Sequence, residues 1–277
     1  LTQPTISAHI SSLEKELNAR LFVRNTKEVK LSDDGKDLYR YARQMIDLQK
    51  KIEERFETGK EESKHLITIA ASTIPAQYLL PKILMKFNER YPKEQVKLLE
   101  TDSSQVVTQI IDHMVDVGFT GTVLEKKHCK YIPFYKDELV VITPNTEKYQ
   151  ELLEDMPDDI SWIGGEHLIM REEGSGTRKE AGKQLRAAGI NLDKLKIIAS
   201  IENQETIKKS VKQGMGISVI SRLAAEDEVK YGDLLAFSIP KADQGRDINL
   251  VYNKNYQMSK STERFVKIVK EVYGIEE

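Results

Sequence analysis

From residue 66 onward, apolar runs too short for helices alternate with longer stretches of helical period, and this alternation restricts the fold more than anything else in the chain. Strands are predicted over 66–71, 95–100, 115–120, 138–143, 167–170, 196–201, 216–220 and 248–252. Each is a compact run rich in Val, Ile and Leu. Helices are predicted over 75–91, with Pro92 just beyond, over 103–114 and over 259–273. Strands alternating with helices predict an α/β architecture with parallel sheets. The chain shows no internal repeat and no low-complexity segment.

The first 24 residues follow a different pattern. Thr2 reads as a helix N-cap and Pro4 sits in the first turn, where a missing N–H costs little. Ile6, Ile10, Leu13 and Leu17 then form one apolar stripe, while Gln3, Ser7 and Ser11 begin the opposite face. Such a helix suits entry into a DNA major groove, and it equally suits an amphipathic surface helix. Residues 21–32 alternate apolar and polar side chains around a polar turn, the pattern of a two-strand wing. Arg24, Lys27 and Lys30 place cations there, where phosphates or a minor groove are met. Ser32 caps a long helix over 32–57, with Asp33 and Asp34 in its first turn. Leu38, Ala42, Met45, Leu48, Ile52 and Phe56 make a seam that either pairs with another helix or packs on its own domain. Residues 58–64 are polar, contain Gly59 and read as a hinge.

Taken in order, Leu1-Thr2-Gln3-Pro4-Thr5-Ile6-Ser7, Leu13-Glu14-Lys15-Glu16-Leu17, Leu21-Phe22-Val23-Arg24 and Leu31-Ser32-Asp33-Asp34-Gly35 resemble the DNA-binding end of LysR-type transcriptional regulators. The similarity extends over essentially the whole chain. It implies a winged helix-turn-helix whose recognition helix sets Gln3, Pro4, Thr5 and Ser7 near bases, with His9, Arg24, Lys27 and Lys30 on the DNA backbone or minor groove. It also implies a linker helix that forms a homodimer or homotetramer, and two α/β subdomains like those of a periplasmic solute-binding protein. The expected boundaries are 1–57 for the partial DNA-binding domain and linker helix, 58–65 for the hinge and 66–277 for the effector-binding domain. Within the last, subdomain I spans 66–137 and 241–277, and subdomain II spans 138–240. The chain departs from the family pattern in starting at Leu1, without the first helix and most of the second. The expectation is that the Ile6, Ile10 and Leu13 stripe is then not properly buried. Ala8 also stands where many members carry a longer, often basic residue.

Ligands of open α/β sheets sit beyond the strand C-termini, near helix N-termini. Four segments have that placement: Ser72 and Thr73; Thr120 and Gly121; Ser175, Gly176, Thr177 and Arg178; and Asn203 and Gln204. Hydroxyls, amides and free backbone N–H groups together suit an anion. The same residues also serve as N-caps and glycine turns in any α/β fold. The Gly174-Ser175-Gly176-Thr177-Arg178 run is the sharpest, because glycines allow close approach and Arg178 adds charge. The expected effector is a small oxyanion or carboxylate. Gly214-Met215-Gly216 reads instead as a tight helix-to-strand turn.

Composition narrows the function. The 277 residues carry a net charge of −2, and residues 1–60 carry +2, so DNA contact is expected to be local. A single cysteine, Cys129, permits no intrachain disulfide and fits a reducing cytosol. No apolar run reaches a membrane-spanning length, so a cytoplasmic protein without a membrane partner is expected. The five histidines form no metal-spaced cluster, and no nucleophile elbow or Walker loop is present. Neither catalysis nor a cofactor is expected. The alternative is a stand-alone solute-binding protein with dimerising N-terminal helices, against which the wing argues.

Overall fold

The computed structural model describes residues 2–24, 29–56, 66–155, 159–240 and 245–275. The chain divides into one unit of Leu1–Glu61 with Asp112–Met114, and a second of Glu62–Ile111 with Val115–Glu277.

The first unit contains α1 (Gln3–Glu16), β1 (Phe22–Arg24), β2 (Val29–Leu31) and α2 (Asp33–Phe56). Thr2 holds the N-cap position in an extended conformation, but its hydroxyl lies 2.8 Å from that of Thr5 rather than capping a backbone amide. Glu14 ties α1 to the wing, its Oε1 accepting from the amides of Leu21 at 2.8 Å and Phe22 at 3.3 Å. The strands pair antiparallel, Phe22 opposite Leu31 and Arg24 opposite Val29. Ser32 caps α2, its Oγ accepting from Gly35 N at 2.9 Å and donating to the Arg20 carbonyl. The apolar stripe of α1 is not buried: Ile6, Leu13 and Leu17 are exposed and Ile10 is half-buried. A stripe is buried only against a second layer, and the described residues of this unit supply none over it. On α2, Leu38 and Ala42 are half-buried, Leu48 and Ile52 are exposed, and Met45 is 73% exposed. Over Met45, Leu48 and Ile52 the seam is therefore not packed against the described residues of its own unit. The expected hinge at 58–64 and Lys27 lie outside the described residues.

The second unit is built on two five-stranded sheets. Its elements are β3 (Leu66–Ala71), α3 (Leu80–Arg90), β4 (Gln95–Glu100), α4 (Ser103–Ile111), β5 (Val117–Thr120), β6 (Cys129–Asp137), β7 (Leu139–Pro144), α5 (Glu147–Asp155), β8 (His167–Met170), α6 (Gly176–Ala187), β9 (Lys196–Ser200), α7 (Gln204–Lys212), β10 (Ile217–Ser221), α8 (Arg222–Lys230), β11 (Leu234–Ser238), β12 (Arg246–Asn253) and α9 (Lys260–Tyr273). Sheet order is β4-β3-β5-β12-β6 in one and β11-β7-β10-β8-β9 in the other. Central β7 and β10 are buried at every position, which explains the apolar run Leu139–Ile142 of β7. The buried Ser218 and Ser221 of β10 are hydrogen-bonded to the Ile169 carbonyl and to Asp137.

Both sheets are mixed rather than parallel. β3 runs parallel to β4 and β5, but β12 is antiparallel to β5 and β6. In the other sheet β8, β9 and β10 are parallel, and β7 is antiparallel to β10 and β11. The antiparallel members lie where the chain passes between sheets, so they enter reversed. Two strands, β6 and β11, have no counterpart in the sequence-based expectation. β6 carries Pro133, which ordinarily argues against a strand. Here the register shifts beside it, with Ile248 opposite Tyr135 and Asn249 opposite Pro133, so the proline sits at an irregularity in the pairing.

The helix predicted over 75–91 is also not uniform. Residues Pro75–Leu79 form a π-helical turn, closed by Leu80 N donating to the Pro75 carbonyl, before α3 begins. Pro81 in the first turn of α3 cannot donate to the preceding turn and crowds it, which accounts for the widening. Phe87, Phe119, Phe134 and Phe265 join the core of the first sheet through edge contacts, with centroids 5.1–6.3 Å apart. Leu139, Val141, Leu168, Ile217 and Phe237 centre a separate core on one face of the second.

Candidate effector crevice

Strand ends from both sheets of the second unit meet at one crevice. Ser72 and Thr73 follow β3; Thr101, Asp102 and Ser103 join β4 to α4; Arg171 and Glu172 follow β8; Ser175, Gly176 and Thr177 open α6; and Arg246 begins β12. The crevice holds about 250 Å³ counting its open mouth, of which about 10 Å³ admits the centre of a water molecule. That is room for about one water.

Two arginines dominate the lining. Arg246 is 4% exposed and Arg171 5%. Arg246 donates through Nε to Asp137 Oδ2 at 2.8 Å and through Nη1 to Thr177 Oγ1 at 3.0 Å. Asp137 is also held by the Ser221 hydroxyl, which donates to Oδ1 at 2.5 Å. Arg246 thus links the end of β6, in one sheet, to the N-terminus of α6 and the end of β10, in the other. Gly121 makes this possible, since a Cβ there meets Arg246 Nη1 at 2.9 Å. Arg171 forks onto Glu172, with Nε–Oε2 at 2.8 Å and Nη2–Oε1 at 2.9 Å, and its Nη2 lies 3.4 Å from Thr73 Oγ1.

Helix N-termini complete the lining. The Asp102 carboxylate caps α4, accepting from Ser104 N at 2.7 Å and Gln105 N at 2.9 Å. Ser103 is 1% exposed, and its hydroxyl has no hydrogen-bond partner among the described residues. It faces Gly176 so closely that a Cβ on that glycine falls 2.7 Å from Ser103 Oγ.

The expected effector residues are thus only partly gathered. Ser72, Thr73, Ser175, Gly176 and Thr177 line the crevice. Arg178 turns away from it: its Nη1 donates to the Arg171 carbonyl at 2.8 Å and lies 3.4 Å from Ser200 Oγ, while its own amide is capped by Ser175 Oγ. Thr120 is buried and donates to the Thr122 carbonyl at 2.9 Å. Asn203 caps α7 by accepting from Thr206 N at 2.9 Å. Gln204 is buried, and neither amide atom has a partner among the described residues. Arg246 and Asp137 carry no local signal, because they face each other only through the β6–β12 register. Ser103 had the same strand-to-helix signal as the four segments that were singled out.

In the first unit, Gln3, Pro4, Ser7 and His9 are exposed on α1, with Thr5 half-buried; Lys30 is exposed on β2, and Arg24 ends β1. Among the described residues no group of three or more His, Cys, Asp or Glu is placed to hold a metal ion, and no helix is long and apolar enough to cross a membrane.

The LysR substrate binding domain matches residues 60–274, and the bacterial regulatory helix-turn-helix of the lysR family matches residues 1–36. The chain belongs to the LysR family of transcriptional regulators. The HTH-type transcriptional regulator MJ0300 of Methanocaldococcus jannaschii is 30% identical to it over 276 residues, 98% of this chain and 90% of that protein. The fold of this LysR-type regulator is shared by the Synechocystis PCC6803 CcmR regulatory domain in complex with 2-PG, at TM-score 0.67 and 24% identity, covering 76% of this chain and 98% of that one. It is shared also by full-length CbnR in complex with its target DNA, at TM-score 0.69 and 17% identity, covering 98% of this chain and 90% of that one. The protein is a DNA-binding transcriptional regulator with an effector-binding domain.

Proposed function

We propose that this regulator is switched by a small anion bound in the crevice between its two sheets. The observation that carries this reading is the pair of buried arginines, Arg171 and Arg246, set among the hydroxyls of Thr73, Ser103 and Thr177 and the N-terminus of α6. Such a lining holds an oxyanion or carboxylate by charge-assisted bonds. It suits an apolar ligand poorly, since each hydroxyl left unpaired costs about 1–3 kcal/mol. Residues 66–137 and 241–277 act as one subdomain and 138–240 as the other, and their closure on the ligand is the switching motion. In the DNA-binding domain, Gln3, Pro4, Thr5 and Ser7 read bases, while His9, Arg24, Lys27 and Lys30 meet the backbone or minor groove. The exposed seam of α2 joins two copies in a cytoplasmic homodimer or homotetramer.

A thermal-shift screen of sulfate, phosphate, thiosulfate, small amino acids and dicarboxylates tests the ligand class. A true ligand raises the melting temperature with the logarithm of its concentration. The shift disappears in a folded Thr73→Val, Thr177→Val double variant. Tight binding of an apolar aromatic compound, with no response to any anion, contradicts the reading.

A further inference from the structure

The two arginine pairs of the crevice differ in one respect. Asp137, the partner of Arg246, has a fully buried side chain, is held by a second donor, and is fixed at the end of a strand. Glu172, the partner of Arg171, retains 23% of its side-chain exposure and stands in the loop between β8 and α6. One carboxylate is buried and held by a second donor; the other is partly exposed, on a loop.

We propose that Glu172 is a built-in stand-in for the effector: its carboxylate occupies the fork of Arg171 that an anionic group of the ligand takes, and ligand entry exchanges one anion for the other. This rests on the reading of the crevice as an anion site. A guanidinium as buried as that of Arg171 is strongly destabilised without a counter-charge. Glu172, the next residue in the chain, supplies one. The fork of Nε and Nη2 on the two carboxylate oxygens is the geometry that an external carboxylate or oxyanion adopts on an arginine. With Glu172 in place the remaining space admits about one water, so an organic anion needs either this carboxylate moved aside or the crevice opened. Arg171 Nη2 also reaches Thr73 across to the other sheet, so the identity of the anion on Arg171 is felt by both sides of the crevice. Displacing an internal competitor weakens the apparent affinity by the cost of removing it. Glu172 thus screens out weak monoanions and favours ligands with further contacts to Ser103, Thr177 or Arg246.

The test is chemical rescue in the full chain, with formate and acetate as probes and melting temperature as readout. Glu172→Ala is expected to melt lower than wild type in carboxylate-free buffer. Formate or acetate then raises its melting temperature with saturation, at a concentration at least about tenfold below any specific response of the wild type. A Glu172→Ala, Arg171→Met variant loses the rescue. Equal responses of Glu172→Ala and wild type, or of the single and double variants, overturn the proposal. Should Glu172→Ala fail to fold, Glu172→Gln keeps the shape and removes the charge; it must bind formate more tightly than wild type, and equal affinity overturns the proposal. The two readings fail separately. An absent anion response in wild type with rescue intact in Glu172→Ala removes the anionic effector but leaves the exchange on Arg171, whereas anion binding without rescue removes only the exchange.

Discussion

Arg246 serves both the strand pair it belongs to and the crevice it lines. Replacing it with Met leaves the Asp137 carboxylate buried and unpaired, and the loss of stability expected for such a broken pair is about 3–5 kcal/mol. Adding Asp137→Asn restores most of that loss, because the uncompensated charge goes with it; urea unfolding of the two variants checks the difference. Ser103 behaves in the opposite sense. Its buried hydroxyl has no partner among the described residues, so Ser103→Ala is expected to leave thermal stability unchanged or raise it. The same variant weakens anion binding if the hydroxyl is a ligand donor. A marked fall in its melting temperature, with binding intact, shows instead that the hydroxyl is paired structurally.

Among the elements, α2 presents Met45, Leu48 and Ile52 to solvent in the single chain, along the seam that the sequence spacing marks. If that seam pairs two copies, Met45→Asp introduces an unpaired charge into the contact and lowers the mass seen by sedimentation. An unchanged oligomer rules the pairing out. For α1 and the wing, Ser7→Ala is expected to weaken specific sites more than random DNA, and Lys30→Ala to weaken both about equally, with a smaller salt dependence. The junction from β6 to β7 adds a pH effect. The Arg222 guanidinium, hydrogen-bonded to Glu138, holds that carboxyl below its ordinary range, with Ser238 assisting. The stabilisation is therefore present above the ordinary carboxylate pKa and is lost as pH falls through the lowered one. Both partners are half exposed, so the contribution is small, and Glu138→Gln removes it from an acid-unfolding profile. Strands with continuous apolar runs, such as β7 and β8, were legible from the sequence. β6 was not, because Pro133 and its exposed positions break the alternation, and sheet direction was not, because it depends on where the chain crosses between sheets.

For the whole molecule, the α/β class, the wing motifs and the membership of the LysR family could be read from the chain, since each rests on local spacing. The crevice was legible where short polar residues mark a strand-to-helix junction, as at Thr73 and at Ser175, which caps α6. Its charge was not, because Arg178 turns onto a backbone carbonyl while Arg246, far away in sequence, reaches Thr177. The central claim is that an anion in this crevice controls how the regulator holds DNA. The most direct measurement is the footprint and affinity of the intact protein on a site recovered by sequencing its bound fragments, with and without the anion that gives the largest thermal shift. The account predicts that the anion changes the footprint length or the affinity of the wild type. The Thr73→Val, Thr177→Val variant should bind the same DNA with wild-type affinity and ignore the anion. An anion that saturates the wild type without altering its footprint or affinity, or that acts equally on the variant, contradicts the claim.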